Sequence, residues 1–406
     1  MPLIALSANT SWYIYTFRLR LIRTLLQQGF HVAIVAPWDE YATRLEEEGC
    51  RVQSLRLQSK STNPLTEIRT LYGYFRLYFS LRPAIALHFT PKPNIYGSLA
   101  ARVLGILCIN NIAGLGTAFI RKGWLSIVSR QLYKLTQRHA SRVFFQNRDD
   151  LDFFVRSGLV PEASSDLLPG SGVDLEKFLP TSDISGQMSD LRRQTPATRR
   201  QTPKNSLQRS DSEDSVRFLL IARLIWDKGI GEYAEATRII KARYPETEFV
   251  LLGFVDHNNP GAVPEETIHD WEAEGLLRWV GSQEDVRPFI ADADCVVLPS
   301  YYREGTPRTL LEAAAMAKPL IGADSIGTRE PVEDGETGYL CQPRDTEDLA
   351  EKMERIIRMG SEARQQMGWR GREKMEREYD ENIVIQKYME AIGQVIEEKG
   401  PANRAG

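Results

Sequence analysis

Residues 295–319 read CVVLPSYYREGTPRTLLEAAAMAKP, and this stretch decides the fold. Cys295 to Ser300 is a short apolar run of the kind that forms a strand buried on both faces. After Pro307 the period changes. Leu310, Leu311, Ala314 and Ala315 form an apolar stripe at helical spacing, with a proline in the first turn, so a helix begins there. The loop between holds Glu304, Gly305, Thr306 and Pro307, and Glu312 lies one and a half turns into the helix. Backbone amides of Gly305 to Arg308 then sit at the positive end of the helix dipole, an arrangement suited to a diphosphate. One carboxylate is placed to accept hydrogen bonds from sugar hydroxyls and the other from a ribose. A plain strand-to-helix connection needs neither glutamate, although the Glu-x7-Glu spacing alone also arises by chance.

A second stretch has the same design. Val216 to Ala222 reads as a buried strand, Arg223-Leu-Ile-Trp-Asp-Lys228-Gly229 follows, and a helix then runs through Arg243. Arg223 and Lys228 are two cations at a strand end, able to neutralise a diphosphate leaving group without a metal. Solvated surface charges are the plainer explanation of such a loop. It weakens because the glutamate pair stands at the end of another strand of the same expected sheet, where open parallel sheets gather ligands.

With 406 residues, 42% hydrophobic and 26% charged, the chain is large enough for two cores. Cys50, Cys108, Cys295 and Cys341 are far apart and read as buried thiols of a reducing compartment. Leu3 to Leu6 begins as a strand, so no signal peptide is expected, and no run of 18 apolar residues is long enough to span a membrane. The net charge of −3 hides a split: residues 1–148 hold 19 Lys and Arg against 6 Asp and Glu. A front half this basic points to an anionic partner.

Strands are expected at Leu3–Ala8, His31–Ala36, Arg51–Leu55, Ala84–His88, Leu107–Ile112 and Arg142–Gln146, with a helix ending at Gly29 and another over Asn94–Leu104. Alternating strands and helices in both halves give an α/β protein of two doubly wound parallel sheets. The expected divisions are a domain over 1–170, a polar Pro/Ser/Thr-rich linker over 180–215, a domain over 216–380, and a last helix over 381–398. That helix carries Ile383, Ile385, Met389, Ile392 and Ile396. The linker has too few large apolar groups to offset the entropy of ordering.

Weaker signals have plainer explanations. Gly114-Leu-Gly116 begins like a dinucleotide fingerprint, but Phe119 occupies the place of the third glycine. A glycine-lined turn that lets backbone approach a sugar accounts for it better. Asp292-Ala-Asp294 resembles a metal-binding D-x-D, yet it precedes a buried strand, at the wrong end for a site. The five histidines show no ligand spacing. No metal and no cofactor are expected. Aromatic residues and cations mix over Ser11–Arg23, Arg69–Arg82 and Arg121–Arg138, the last stacking Arg130, Lys134 and Arg138 along one helix face. Core packing competes with docking on an anionic membrane as the reason. Nucleic acid is not expected, since no motif for it appears.

These stretches resemble the family 4 retaining glycosyltransferases of the GT-B type. The matching residues are Ala222-Arg223-Leu224, Lys228-Gly229, Leu251-Leu-Gly253, Val280-Gly281, Asp294 to Ser300, Glu304-Gly305 to Glu312-Ala313, and Glu333-Asp-Gly335 to Gly338. In front, Asn63-Pro-Leu65, His88 to Gly97 and Asn110 to Gly116 are similar to the bacterial capsule, exopolysaccharide and glycan-assembly branch. The resemblance implies two Rossmann-like domains facing a cleft, the last helix packing toward the first domain. Arg223 and Lys228 would bind the nucleotide diphosphate, Glu304 the donor sugar and Glu312 the ribose. Gly305, Thr306, Pro307, Arg308, Gly253 and Gly281 complete the donor set, and Asn9, Lys92, Asn94, Gly114 and Gly116 are the acceptor-side candidates. The implied reaction moves a hexose or N-acetylhexosamine from a nucleotide sugar, UDP-linked, to a polyprenyl-diphosphate-linked saccharide. The implied place is the cytoplasmic face of the membrane, with Arg130, Lys134 and Arg138 toward the lipid. The histidine that some family members place near the donor sugar is missing from Asn110 to Gly116. A non-hydrolysing sugar-nucleotide epimerase and a non-catalytic nucleotide-sugar-binding partner subunit are the alternatives.

Overall fold

Short strands, most of them apolar and most followed by a helix, build two parallel sheets. The computed structural model describes residues 2–58, 63–114, 124–180, 215–257 and 259–399. The chain divides into two compact units, Met1–Ser171 with Asn382–Gly406, and Gly172–Glu381. Of the polar stretch expected as a linker over 180–215, residues 181–214 lie outside the described residues.

The first unit runs β1 (Leu3–Ser7), α1 (Ser11–Gln27), β2 (His31–Ala36), α2 (Glu40–Glu47), β3 (Arg51–Ser54), α3 (Pro64–Leu81) and β4 (Ile85–His88). It continues with α4 (Ser98–Val103), β5 (Leu107–Ile112), α5 (Trp124–Gln137), β6 (Arg142–Phe145), α6 (Arg148–Arg156) and β7 (Ser165–Leu167). Several helices of this unit start where a side chain satisfies an orphan amide. Thr10 Oγ1 accepts from Tyr13 N at 3.0 Å, Asn63 Oδ1 from Leu65 N at 3.0 Å, and Asn147 Oδ1 from Asp150 N at 2.7 Å.

The second unit carries β8 (Arg217–Ile221), α7 (Ile230–Arg243), β9 (Glu248–Leu252), α8 (Glu265–Ala273), β10 (Arg278–Trp279), α9 (Arg287–Asp292) and β11 (Cys295–Leu298). It ends with α10 (Arg308–Ala315), β12 (Leu320–Ala323), β13 (Gly338–Cys341), α11 (Thr346–Arg358) and α12 (Gly360–Lys374), before α13 (Glu381–Lys399) returns to the first unit.

Among the described residues every pairing within the two sheets is parallel. The orders are β3-β2-β1-β4-β5-β6-β7 and β10-β9-β8-β11-β12-β13, so the winding reverses at β1/β4 and at β8/β11. Alternate residues feed two cores per sheet. Ile4 and Leu6 pack with α1, α2 and α13, whereas Ala5 packs with α3. In the second sheet Phe218 and Leu220 meet α7 and α11, and Leu219 and Ile221 face α10.

Three details depart from expectation. The helix expected over Asn94–Leu104 opens as a π-helical turn, Pro93–Gly97, before α4. This wider turn lies against a buried imidazole: a Cβ on Gly97 would stand 2.5 Å from His88 Nε2. The short edge strand β7 was not anticipated, because Ser165, Asp166 and Leu167 are only half-buried and carry no apolar run. In α13 the buried residues coincide only in part with the apolar residues named from the sequence. Val384, Tyr388 and Val395 lie deepest beside Ile385 and Ile392, while Ile383, Met389 and Ile396 are half-buried. Tyr388 sets the phase, with its ring 4.9 Å from Phe144 and its hydroxyl accepting from Asn111 Nδ2 at 2.7 Å.

Candidate active site

The donor-side candidates gather at the carboxyl ends of β8 and β11, the neighbouring strands where the second sheet reverses its winding. Beyond β8 the chain makes a 3-10 turn over Trp226–Lys228 and enters α7 through Gly229 at φ +77°. A Cβ there would lie 2.3 Å from Pro299 O, so only glycine lets this turn press against the end of β11. The amides of Tyr301 and Tyr302 donate to Asp227 O at 3.1 and 3.0 Å and tie the two loops together. Lys228 Nζ is thereby held 2.5 Å from Glu304 Oε1, with both side chains largely buried. Ser300 Oγ donates to the same carboxylate oxygen at 2.8 Å, and the Tyr302 ring lies 5.6 Å from Nζ. Arg223 is exposed beside Tyr302; burial pushes that phenol up, and the guanidinium opposes the shift.

Glu312 lies on α10 with Arg308. Arg308 Nε donates to Glu312 Oε1 at 2.8 Å. Burial pushes the Glu312 carboxyl above the usual range, and Arg308 pulls it back. Pro307 takes the N-cap position, with Gly305 and Thr306 buried before it. From the next connection, Ser325 Oγ donates to Ser300 O at 2.6 Å, and a Cβ on Gly327 would lie 1.9 Å from Gly305 O. Gly253 and Gly281 sit at the ends of β9 and β10. Gly253 N donates to Gly281 O at 2.9 Å, and a Cβ on Gly253 would lie 1.8 Å from Ala222 O. They shape the sheet edge next to Arg223 and do not join the charged group.

In the first unit, Asn9, Lys92 with Asn94, and Gly114 follow β1, β4 and β5, so one sheet edge brings them together. Gly116 lies outside the described residues. Lys92 Nζ pairs with Glu67 Oε1 at 2.5 Å. Asn94 is built into the interior and donates to Asn111 O at 2.8 Å. The Oδ1 atoms of Asn9 and Asn94 are buried with no hydrogen-bond partner. Beneath them His88 is wholly buried, its Nδ1 2.7 Å from Asn110 Oδ1 and its Nε2 2.8 Å from the Tyr78 hydroxyl. The amide oxygen can only accept, so Nδ1 carries the proton and Tyr78 donates to Nε2. Burial holds the pKa down at about 4. His88 is a neutral structural group.

The basic face of α5 is less open than its spacing suggested. Lys134 is half-buried, the Arg130 guanidinium lies 5.5 Å over Phe153, and Arg138 Nε donates to Gly158 O at 3.2 Å. Asp292 and Asp294 stand at the amino end of β8. Asp294 accepts the Arg217 amide at 2.9 Å, and Asp292 lies 3.5 Å from its guanidinium. Sequence reasoning missed Ser300, Tyr302, Ser325 and Gly327. Ser300 and Tyr302 lie within the quoted stretch but were given no role there, and only the fold brings in Ser325 and Gly327.

A buried cation and carboxylate at the winding reversal of one of two parallel α/β sheets are what the GT-B reading of the sequence requires, and comparison with known proteins supplies the class. Residues 3–147 match the family described as glycosyl transferase 4-like and residues 203–374 the glycosyl transferases group 1, so the chain carries a glycosyltransferase domain of each kind. It is 27% identical over 388 residues, 94% of this chain and 96% of the other, to the Campylobacter jejuni N,N'-diacetylbacillosaminyl-diphospho-undecaprenol alpha-1,3-N-acetylgalactosaminyltransferase. It is 23% identical, over 72% of this chain and 71% of the other, to the Escherichia coli UDP-Gal:alpha-D-GlcNAc-diphosphoundecaprenol alpha-1,3-galactosyltransferase. Its fold matches Anabaena HepE, solved in complex with UDP-glucose, at a TM-score of 0.75 and 16% identity, covering 97% of this chain and 100% of that one.

Proposed function

We propose that the protein is a retaining glycosyltransferase that moves a hexose or N-acetylhexosamine from a UDP-sugar to a polyprenyl-diphosphate-linked saccharide. The observation that carries this is the Lys228–Glu304 contact of 2.5 Å at the carboxyl edge of β8 and β11. Lys228 and Arg223 stabilise the negative charge that grows on the diphosphate as the anomeric C–O bond breaks, and Glu304 orients the sugar hydroxyls. Glu312, held by Arg308, binds the ribose. The acceptor hydroxyl attacks from the face the diphosphate leaves, and its proton passes to a leaving phosphate oxygen. Two cations supply the charge without a metal.

The acceptor class is supported by relatives whose names specify undecaprenyl-diphosphate-linked sugars. Among the described residues no helix is long and apolar enough to cross a membrane. The reading is therefore of a protein held peripherally on the inner, anionic face of the cytoplasmic membrane. Incubation with a panel of nucleotide sugars and lipid extracts, read by the mass added to lipid, tests it. Transfer is expected from a UDP-sugar in the presence of a chelator. No mass added from any donor rejects the reading, and activity that returns only with a divalent metal rejects the metal-free mechanism.

A further inference from the structure

A helix packed on a sheet normally turns polar residues outward, because one stripe suffices to bury it. Helix α3 does not. Its inner stripe of Tyr74, Leu77, Tyr78 and Leu81 fills the core. Its outer side still carries Leu65, Ile68 and Tyr72, which are 67, 63 and 66% exposed, together with Phe79. Between α3 and α4 runs a groove of about 580 Å³ lined by Ile68, Leu71, Tyr72, Phe75, Leu99 and Val103, with Val103 itself 74% exposed. That volume lies within the ordinary range for a small-molecule site, yet apart from Arg102 and the Tyr72 hydroxyl the lining is hydrocarbon. Along the same layer, α5 exposes Ile127, Val128 and Leu135.

Charge narrows the choice of occupant. Exposed Arg69 and Arg76 flank the apolar residues of α3, Arg102 lies beside Val103, and Arg130 is exposed on α5. The three helices hold a single carboxylate, Glu67, and Lys92 engages it. This surface therefore offers hydrocarbon and cations with no open anion of its own. Lipid phosphates above acyl chains match both features at once, and an aromatic phenol such as Tyr72 suits the boundary between them.

We propose that the α3–α4–α5 layer is the surface on which the protein lies on an anionic bilayer, an acyl chain of a membrane lipid entering the α3–α4 groove. This moves the main lipid contact from the basic face of α5 to α3 and α4, and it rests on the reading of a lipid-linked acceptor. Arg69, Arg76 and Arg102 meet headgroup phosphates while Ile68, Tyr72 and Val103 sit below them. The apolar part of such binding resists salt and the arginine part does not.

The test is co-sedimentation of the full chain with acceptor-free vesicles of phosphatidylglycerol and phosphatidylethanolamine, beside pure phosphatidylcholine. Wild type should bind the anionic vesicles, lose much of that binding at high salt and keep a remainder. The double substitution Ile68→Asn with Tyr72→Asn should lower partition at least about tenfold and abolish the salt-resistant remainder. Both residues are exposed, so folding should survive, as circular dichroism will check. The variant should keep wild-type transfer to a water-soluble short-chain acceptor while losing transfer to a long-chain acceptor in vesicles. Equal sedimentation of variant and wild type overturns the proposal. So does binding that appears only when acceptor lipid is added, which gives the groove to the acceptor chain. A wild-type dimer that the substitutions dissolve, with no vesicle binding, gives the surface to a second copy. If vesicle binding behaves as expected but no acceptor is ever glycosylated, the functional reading fails and the docking surface stands.

Discussion

The two sheets reverse their winding in the same way, but what stands at the two reversals differs in kind. At β8/β11 the edge is charged: Lys228 with Glu304, then Arg308 with Glu312. At β1/β4 and the adjoining β5 it is built mostly from neutral amides, Asn9, Asn94, Asn110 and Asn111 over a neutral His88, with Lys92 and Glu67 as its ion pair. A diphosphate leaving group needs fixed cations, whereas sugar hydroxyls are satisfied by amides that both donate and accept. One scaffold thus gives a charged edge and a mostly neutral one, and the proposed function assigns the donor to the first and the acceptor to the second.

Stability against pH gives the largest effect on the neutral side. The folded pKa of His88 is about 4, below the ordinary value of 6.5, so the unfolded chain takes up its proton first. Its contribution is complete above about 6.5 and is lost as pH falls to about 4, by about 3 kcal/mol in all. Urea midpoints between pH 7 and 4 should fall more steeply for wild type than for His88→Gln. Equal slopes would mean that other groups drive the acid sensitivity.

On the charged side, Lys228→Ala should lower kcat about a hundredfold, or about 2.7 kcal/mol, as expected for a lost donor to developing charge. Lys92→Ala in the first unit should leave donor-only hydrolysis of the nucleotide sugar nearly intact. If the two substitutions cost donor hydrolysis equally, the division of roles is wrong. Glu304→Gln should reduce transfer about tenfold or more, about 1.4 kcal/mol, while circular dichroism stays native. Unchanged turnover would remove Glu304 from the mechanism. Smallest is Asn9→Ala, which should raise acceptor KM a few-fold and leave donor KM alone; a change in donor KM instead would place Asn9 with the donor.

The charged edge was legible because its residues are local in sequence. Glu304 and Glu312 share one strand–loop–helix unit, Arg223 and Lys228 another, and the apolar strands that carry them announce themselves. The neutral edge is assembled from residues far apart, such as His88, Asn110 and Gln137, whose hydrogen bonds exist only once the sheet is formed. Asparagine in a strand carries no periodic signal. Likewise Gly327 matters because of Gly305 O, a neighbour that the spacing of residues does not reveal. Tyr388 of α13 was passed over for a related reason, since its place at the centre depends on Asn111, which only the fold brings near.

That last helix has a consequence for how the chain is made. Val384, Tyr388, Ala391 and Val395 belong to the same core as Ile4, Leu21 and Val32, although nearly the whole sequence separates them. During synthesis the first unit emerges early, yet the face of its sheet that α13 covers stays bare until α13 itself has left the ribosome. Arg18 makes the wait costly, because its guanidinium rests 4.7 Å over Phe89 and 5.8 Å over Tyr388, and the second ring arrives only at the end. A ribosome stalled before Asn382 would therefore hold a complete second unit and an unfinished first one, a nascent chain that chaperones should recognise by its front half.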